Sequence, residues 1–139
     1  MGIYGFNLLG ILIAAVAGMV VGMFWYSPNV FGRKWMKYIG MSKKKMKEAQ
    51  EKGMLVPMLF GFVGQLLTAG MLSVFMGYAG AASIPAGLLV AFLLWLGFIA
   101  TTQIGVVLWE QKPWGLYLLN SSYSLTVLLV MSIVLQLLG

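Results

Sequence analysis

Apolar and charged positions divide the chain into four long apolar intervals, separated by two charged patches and one short uncharged turn. The intervals run over residues 7–26, 54–77, 84–108 and 115–138. As a helix, each is long enough to cross about 30 Å of hydrocarbon, at about 1.5 Å per residue. None alternates between apolar and polar residues as a barrel strand would. The pattern therefore predicts an all-α fold, an integral membrane four-helix bundle that forms a single transmembrane domain over residues 1–139.

The four prolines agree with these boundaries. Pro28 follows the first interval and Pro113 precedes the fourth, while Pro57 and Pro85 lie in the first turns of the second and third. Proline is tolerated in the first turn of a helix and breaks a helix interior. None lies in the middle of an interval, so we expect no proline-broken span of the kind that forms substrate sites in many secondary transporters.

Charge is confined to one side of the predicted bundle. Only 9% of residues are charged, against 61% that are hydrophobic, and the mean hydropathy is +0.95. Ten charged residues lie between Arg33 and Lys52, and the other two are Glu110 and Lys112. Two spans separate these patches, so both lie on one side, which the positive-inside rule places in the cytoplasm. We therefore predict a cytoplasmic segment over residues 27–53 and both termini outside.

This cytoplasmic segment is predicted to end in a short basic helix. Ser42 is a suitable N-cap for a helix over Lys43–Lys52. The lysines crowd the helix start, where the dipole disfavours cations, so we expect anionic lipid headgroups to offset them. The alternative is that the charges only determine topology. So short a segment holds no nucleic-acid recognition fold, and no nucleic acid partner is expected. The residues expected to contact anionic lipid are Arg33, Lys34, Lys43, Lys44, Lys45 and Lys47.

Small residues recur at every fourth position in the first two spans. In the first span they are Gly10, Ala14, Gly18 and Gly22. In the second span, Gly61 begins a similar stripe that continues through Gln65, Ala69, Ser73 and Gly77. Such stripes let two helices approach closely. We expect them to pack the spans against each other or against another copy of the chain, so a homo-oligomer is predicted.

The exit from the first span carries a distinctive string, Trp25-Tyr26-Ser27-Pro28-Asn29-Val30-Phe31-Gly32-Arg33-Lys34-Trp35. This W-Y-S-P-x-x-F-G-x-x-W pattern resembles the signature of the domain-of-unknown-function 1761 family. Trp95, Trp109 and Asn120 with Tyr123 are similar to further positions of that family, so the resemblance runs along the whole chain. It implies a small prokaryotic protein with four spans in the bacterial inner membrane. It implies no activity.

The string also predicts an elbow at the membrane surface. Ser27-Pro28 ends the first span, because the residue before a proline avoids helical conformations. Phe31 and Trp35 are expected on one face of a short interfacial helix, where Gly32 allows close approach. This motif either anchors the chain in the membrane surface or forms a gate or a docking elbow. Its predicted members are Trp25, Tyr26, Ser27, Pro28, Phe31, Gly32 and Trp35.

Few residues of the chain are suited to catalysis. The sequence contains no Asp, His or Cys, which excludes a Ser/His/Asp triad, a cysteine nucleophile and an ordinary zinc site. Glu48 and Glu51 lie on the predicted basic helix, and only Glu110 lies near the membrane. We therefore expect no enzyme activity, no cofactor and no metal site.

A neutral polar layer is predicted inside the bundle. In an antiparallel hairpin of the third and fourth spans, Gln103 lies level with Asn120, Thr102 with Ser121, and Thr101 with Ser122. Amides in hydrocarbon need hydrogen-bond partners, so this layer either joins the helices or forms a hydrated pocket for a neutral or cationic solute. Glu110 either faces headgroup water beside Lys112 or accepts a proton or a cation at the inner mouth of this layer. The predicted members are Gln65, Thr101, Thr102, Gln103, Glu110, Asn120 and Ser121.

Two functions are compatible with these features. The first is an accessory, structural or lipid-interacting membrane subunit, which the charge-free spans and the basic helix favour. The alternative is a small homo-oligomeric channel or transporter for a small solute or ion, which rests on Gln65 and the polar layer. We favour the accessory function, because the spans lack the intramembrane acid that proton-coupled carriers commonly use.

Overall fold

Four long helices form where the uncharged intervals predict them. The computed structural model describes residues 7–138, while residues 1–6 and 139 lie outside the described part. The first span (Leu8–Trp25), second span (Leu55–Tyr78), third span (Ile84–Leu108) and fourth span (Trp114–Leu138) are long and apolar enough to cross a membrane. The described residues are almost entirely helical, which confirms the predicted all-α fold. The chain is a multi-pass membrane protein.

Two short helices connect the first and second spans. The interfacial helix covers Gly32–Ile39 and the basic helix covers Lys43–Glu51. Ser42 Oγ accepts a hydrogen bond from Lys45 N at 3.1 Å, which confirms the predicted N-cap. Both helices and the turn over residues 109–113 lie at the same end of the bundle, which is called the basic end below.

The fourth span is the centre of the bundle. Its main neighbours are the first and third spans, and the first span also packs on the second. Ala14, Leu72 and Met131 come from three different spans and are each at most 1% exposed. The other residues of the hydrophobic core likewise lie in the half of the bundle that is remote from the basic end. Mostly apolar side chains therefore fill the interior from the middle of the bundle to the end opposite the basic end, where Ser73 and Ser132 are also buried.

The third span is not a regular α-helix throughout, although it contains no internal proline. It is α-helical over Ile84–Leu94 and π-helical over Trp95–Ala100, and two short α-helical pieces follow. The indole Nε1 of Trp95 donates to Ser121 O at 2.8 Å, which ties this turn to the fourth span. A π-helical turn holds one extra residue, so it rotates the remainder of the span about the helix axis.

The small-residue stripe of the first span is buried against two neighbours. Gly10, Ala14 and Gly18 are all buried. Gly18 lies where the first, second and fourth spans meet, because a Cβ at this position would lie 2.7 Å from Met131 Cε and 3.0 Å from Gln65 Cδ. A side chain at position 18 would therefore have to displace the ends of Met131 and Gln65.

Gly22 and Gly61 are two predicted packing positions nearer the basic end, and they differ in what surrounds them. Gly22 does not leave open space, since the Tyr123 side chain occupies it; a Cβ at Gly22 would lie 2.9 Å from Tyr123 Oη. Gly61 is exposed, and its Cβ would approach only Met19 Sδ, at 3.9 Å. Gly61 is therefore outside the buried stripe, because the long Met19 side chain, rather than backbone, is its neighbour on the first span.

Candidate functional site: an aromatic cleft at the basic end

The exit from the first span is a tight elbow held by its own backbone. Ser27 Oγ donates to Phe24 O at 2.8 Å. The backbone N–H of Gly32 donates to Ser27 O at 2.9 Å, and that of Phe31 donates to Trp25 O at 3.1 Å. Pro28 is exposed at the outside of the turn, whereas Gly32 is buried within it. The chain therefore turns back on itself within a few residues.

The aromatic side chains of this elbow pack on the bundle. Phe31 packs on Trp25, with ring centroids 4.8 Å apart, and Trp35 packs edge-on against Tyr26 at 5.6 Å. Trp25 Nε1 donates to Leu119 O at 3.2 Å, which joins the elbow to the fourth span. Phe31 and Trp35 therefore contact different rings, although both lie on the side of the interfacial helix that faces the bundle.

A cleft of about 590 Å³ lies between this elbow and the third and fourth spans. Four of its lining side chains are aromatic, and none of the eight carries a charge. The elbow provides Tyr26 and Trp35, and the other two elements provide the rest. The lining residues are Tyr26, Trp35, Gln103, Val106, Tyr117, Asn120, Tyr123 and Ser124.

Hydrogen bonds between side chains hold two walls of the cleft together. Tyr26 Oη donates to Asn120 Oδ1 at 2.7 Å. Gln65 Nε2 of the second span donates to Tyr123 Oη at 3.3 Å, and the Tyr26 and Tyr123 rings meet edge-on at 5.1 Å. Tyr26, Tyr123 and the two amides therefore link the first, second and fourth spans at one depth.

Gln103 is the exception among these polar groups. Its Oε1 is buried and has no hydrogen-bond partner among the described residues. It lines the same cleft as Asn120, but the predicted pairing of the two residues is not formed; Asn120 Oδ1 accepts from Tyr26. A buried acceptor without a partner is uncommon in folded proteins and calls for an explanation.

The predicted polar layer is therefore only partly assembled. Gln65, Gln103 and Asn120 gather at the cleft, and Ser121 is buried beside it with its carbonyl oxygen bonded to Trp95. Thr101 and Thr102 are exposed and do not join the layer. Consecutive residues of a helix point about 100° apart, so three in a row cannot all face one neighbour.

The two threonine hydroxyls bond within their own helix. Thr101 Oγ1 donates to Gly97 O at 2.8 Å, and Thr102 Oγ1 donates to Phe98 O at 2.7 Å. Glu110 lies in the exposed turn between the third and fourth spans, outside the cleft lining. Neither the threonines nor Glu110 therefore contribute to the cleft.

Sequence reasoning missed four of the lining residues, which are Val106, Tyr117, Tyr123 and Ser124. Tyr117 Oη donates to Ala100 O at 2.7 Å, at the end of the π-helical turn. Tyr117, Asn120 and Ser124 are spaced by three and then four positions, which places them on one helix face. A polar and aromatic repeat at this spacing within an apolar span was the available signal.

The basic side chains lie outside the cleft. Arg33, Lys34, Lys43, Lys44, Lys45 and Lys47 are all exposed. Lys34 lines a smaller cleft of about 330 Å³, together with Trp25, Phe31 and Tyr38. The basic end therefore presents two kinds of surface, an uncharged aromatic cleft and an exposed set of cations.

Replacing Tyr26 by Phe tests the hydrogen bond across the cleft. Tyr26→Phe leaves Asn120 Oδ1 without its donor, at a cost of about 1 kcal/mol. We expect the melting temperature in detergent, followed by intrinsic fluorescence, to fall by about 2–4 °C. Tyr38→Phe is the matched control, because no side-chain hydrogen bond of Tyr38 holds the cleft, and its melting temperature should change by less than about 1 °C. Equal effects in the two variants would contradict the assignment.

Comparison with known proteins supports one family. No curated protein and no solved structure matches the chain. The family model described as "Protein of unknown function (DUF1761)" matches residues 9–136, nearly the whole chain. That range contains the elbow, all eight residues that line the cleft and most of each span. The chain therefore belongs to the DUF1761 family.

Proposed function

We propose that the protein is an accessory membrane protein that associates with anionic lipid through its basic end and has no catalytic activity of its own. The observation that carries this proposal is the basic helix, which has no buried residue along Lys43–Glu51. By the positive-inside tendency, the basic end faces the cytoplasm in a prokaryotic inner membrane, with both chain ends on the opposite side.

The charge distribution of the basic helix supports an anionic partner. Lys43, Lys44 and Lys45 occupy its first turn, where the free N–H groups and the helix dipole already carry positive potential. An external anion stabilises both the lysines and the helix terminus. Phospholipid phosphates are the nearest anions to a segment that is tied to the membrane at both ends.

The interfacial helix adds to the same surface. Arg33, Lys34 and Lys37 are exposed, whereas Trp35 of the same helix packs on Tyr26 of the elbow. The packing of this ring fixes the orientation of the interfacial helix relative to the bundle. Arg33 and Lys37 are therefore directed away from the bundle, whereas Lys34 borders the smaller cleft at the same end.

The interior of the bundle favours an accessory function over a channel through one copy. From Gln65 to the end opposite the basic end, most buried side chains are apolar, such as Leu72 and Met131. A polar solute would meet few hydrogen-bonding groups along this half of the path, among them the hydroxyls of Ser73 and Ser132. Transport between copies of the chain remains the alternative proposal, and self-association stays a prediction of the small-residue stripes.

Removing the lysines of the basic helix tests the proposal. In a fourfold variant, Gln replaces each of four lysines, Lys43, Lys44, Lys45 and Lys47. Each basic residue near an anionic surface contributes about 1 kcal/mol, so we expect the apparent Kd for phosphatidylglycerol to rise at least about tenfold. Native mass spectrometry of the detergent-purified protein, titrated with phosphatidylglycerol, measures this change.

The matched control changes charge on the same helix in the opposite direction. Glu48→Gln with Glu51→Gln preserves the lysines and should leave phosphatidylglycerol binding unchanged or tighter. If the fourfold lysine variant retains phosphatidylglycerol as well as this control does, the basic helix is not a lipid-binding element and the proposal fails.

A further inference from the structure

We propose that the aromatic cleft binds an alkylammonium group, the cationic end of an amine-bearing lipid or of a small soluble amine. The feature that carries this proposal is a set of steeply angled aromatic rings beside a buried amide oxygen that has no protein partner. The site goes beyond the proposed lipid association, because it involves other residues and a ligand group of the opposite charge.

Three of the lining rings stand steeply to one another, as the walls of an aromatic cage do. The Tyr26 ring stands at 67° to the Tyr123 ring and at 71° to the Trp35 ring, with centroids 5.1 and 5.6 Å apart. Tyr117 contributes a fourth ring to the same cleft. Walls at such angles direct ring faces and edges in several directions. Ring faces carry partial negative charge and attract ammonium cations, which is how quaternary ammonium ligands are held in proteins.

Most hydroxyl protons in the cleft are already used by the protein. Tyr26 Oη donates to Asn120 Oδ1 at 2.7 Å. Tyr117 Oη donates to Ala100 O at 2.7 Å, and Ser124 Oγ donates to Asn120 O at 3.2 Å. The lone pairs of these oxygens stay available as acceptors. These lone pairs can accept from a ligand that brings N–H donors or positive charge.

Gln103 supplies the acceptor that the protein itself does not use. The last torsion of a glutamine side chain is soft, so its amide turns without a large cost. Such a turn directs Oε1 into the cleft, where it accepts from a primary ammonium or faces the positive methyl groups of a quaternary one. Binding of this kind accounts for a buried acceptor that has no hydrogen bond within the described residues.

The nearby cations do not occupy the cleft. Arg33 and Lys37 are each two positions from Trp35, which places them on the far side of the interfacial helix, about 160° away around its axis. Both are exposed and are screened by water and lipid phosphates. Lys34 lines the separate, smaller cleft. The rings and the Gln103 amide therefore determine what the cleft accepts.

Choline and its uncharged isostere 3,3-dimethylbutan-1-ol test the charge requirement. The two molecules have the same shape and differ by the positive nitrogen. Isothermal titration calorimetry of the full chain in a non-ionic detergent should show choline binding at least about fivefold more tightly than the isostere. Equal binding of the two molecules would show that the cleft takes apolar groups without regard to charge, and would overturn the proposal.

Two substitutions of Tyr117 locate the binding in the cleft. Tyr117→Leu removes a ring and should weaken choline binding at least about fivefold. Tyr117→Phe keeps the ring and loses only the hydroxyl, so its affinity should stay within about twofold of the unmodified chain. Because both variants lose the hydrogen bond to Ala100, a difference between them does not come from that bond and reports the ring.

Native mass spectrometry with phosphatidylethanolamine distinguishes the two sources of the ammonium group. If choline binds and the Tyr117→Leu substitution weakens that binding, the result supports a soluble amine as the ligand. If choline does not bind, retention of phosphatidylethanolamine that Tyr117→Leu abolishes and Tyr117→Phe preserves supports a lipid headgroup. The proposal is overturned if neither ligand responds to the loss of the ring. The fourfold lysine variant should bind choline normally, so this test and the test of the basic helix fail independently.

Discussion

Gly32→Ala is expected to disrupt the elbow and to have one of the two largest effects on the stability of this protein. Gly32 has a negative φ, so alanine is not disfavoured by its backbone conformation. The obstacle is contact, since an added Cβ would overlap Tyr26 O and lie 2.8 Å from Ser27 O and 2.9 Å from Ser27 C. These are backbone atoms of a turn closed by its own hydrogen bonds, and they cannot rotate away as a side chain can.

The cost of this substitution is the cost of opening the turn. Forcing an extra methyl group into a packed position typically costs about 1–3 kcal/mol. We expect the melting temperature in detergent to fall by at least about 4 °C. The tryptophan emission should also shift to the red, because Trp25 and Trp35 lose contact with the Phe31 and Tyr26 rings.

Gly64→Ala is the matched control for the elbow. Gly64 lies in the second span, is exposed, and has no heavy atom within 4 Å of its hypothetical Cβ. Alanine is the better helix former, so this variant should be as stable as the original chain or slightly more stable. If the Gly32→Ala variant has the same melting temperature as this control, the turn adapts to the added methyl group at little cost in free energy.

Gly18→Leu is expected to separate the three spans that meet at the centre of the bundle. Its Cβ alone would lie 2.7 Å from Met131 Cε and 3.0 Å from Gln65 Cδ. Met131 is fully buried, so its methyl group has nowhere to move without displacing other core side chains. Gln65 would have to leave the position from which it donates to Tyr123 at 3.3 Å.

Two costs therefore add in this variant. Overpacking contributes about 1–3 kcal/mol, and the lost hydrogen bond between spans contributes about 0.6–2 kcal/mol. We expect a fall in melting temperature of at least about 6 °C, or loss of the monodisperse peak in size-exclusion chromatography. Gly64→Leu is the control, since its side chain enters open space on the exposed face of the second span. Equal behaviour of the two leucine variants would contradict the assigned three-span junction.

Several local features of the fold were predictable because they depend on neighbours in sequence. The length of each span follows from uncharged intervals that match the thickness of a bilayer. Ser42 was predictable as a cap because a serine ahead of a polar helix satisfies a free backbone N–H. The end of the first span near Pro28 follows from the restricted conformation of the residue before a proline.

The rotation of each span about its own axis was not predictable in the same way. In a soluble helix an apolar stripe marks the buried face. Here both the protein interior and the lipid are apolar, so hydrophobicity does not distinguish the two faces. For this reason the sequence placed Thr101 and Thr102 in the polar layer with Gln103, whereas in the structure only Gln103 lines the cleft.

The π-helical turn and the cleft were not predictable from the sequence for the same reason. No proline or charge marks Trp95–Ala100, and the turn is stabilised by contacts with the fourth span, such as the bond from Trp95 to Ser121. The Tyr26–Asn120 bond joins residues 94 positions apart. The sequence by itself determined the number of spans, the one-sided charge and the elbow, because these depend on composition and short-range sterics. Only the tertiary structure decided which polar and aromatic side chains meet, because that depends on how the spans are rotated against one another.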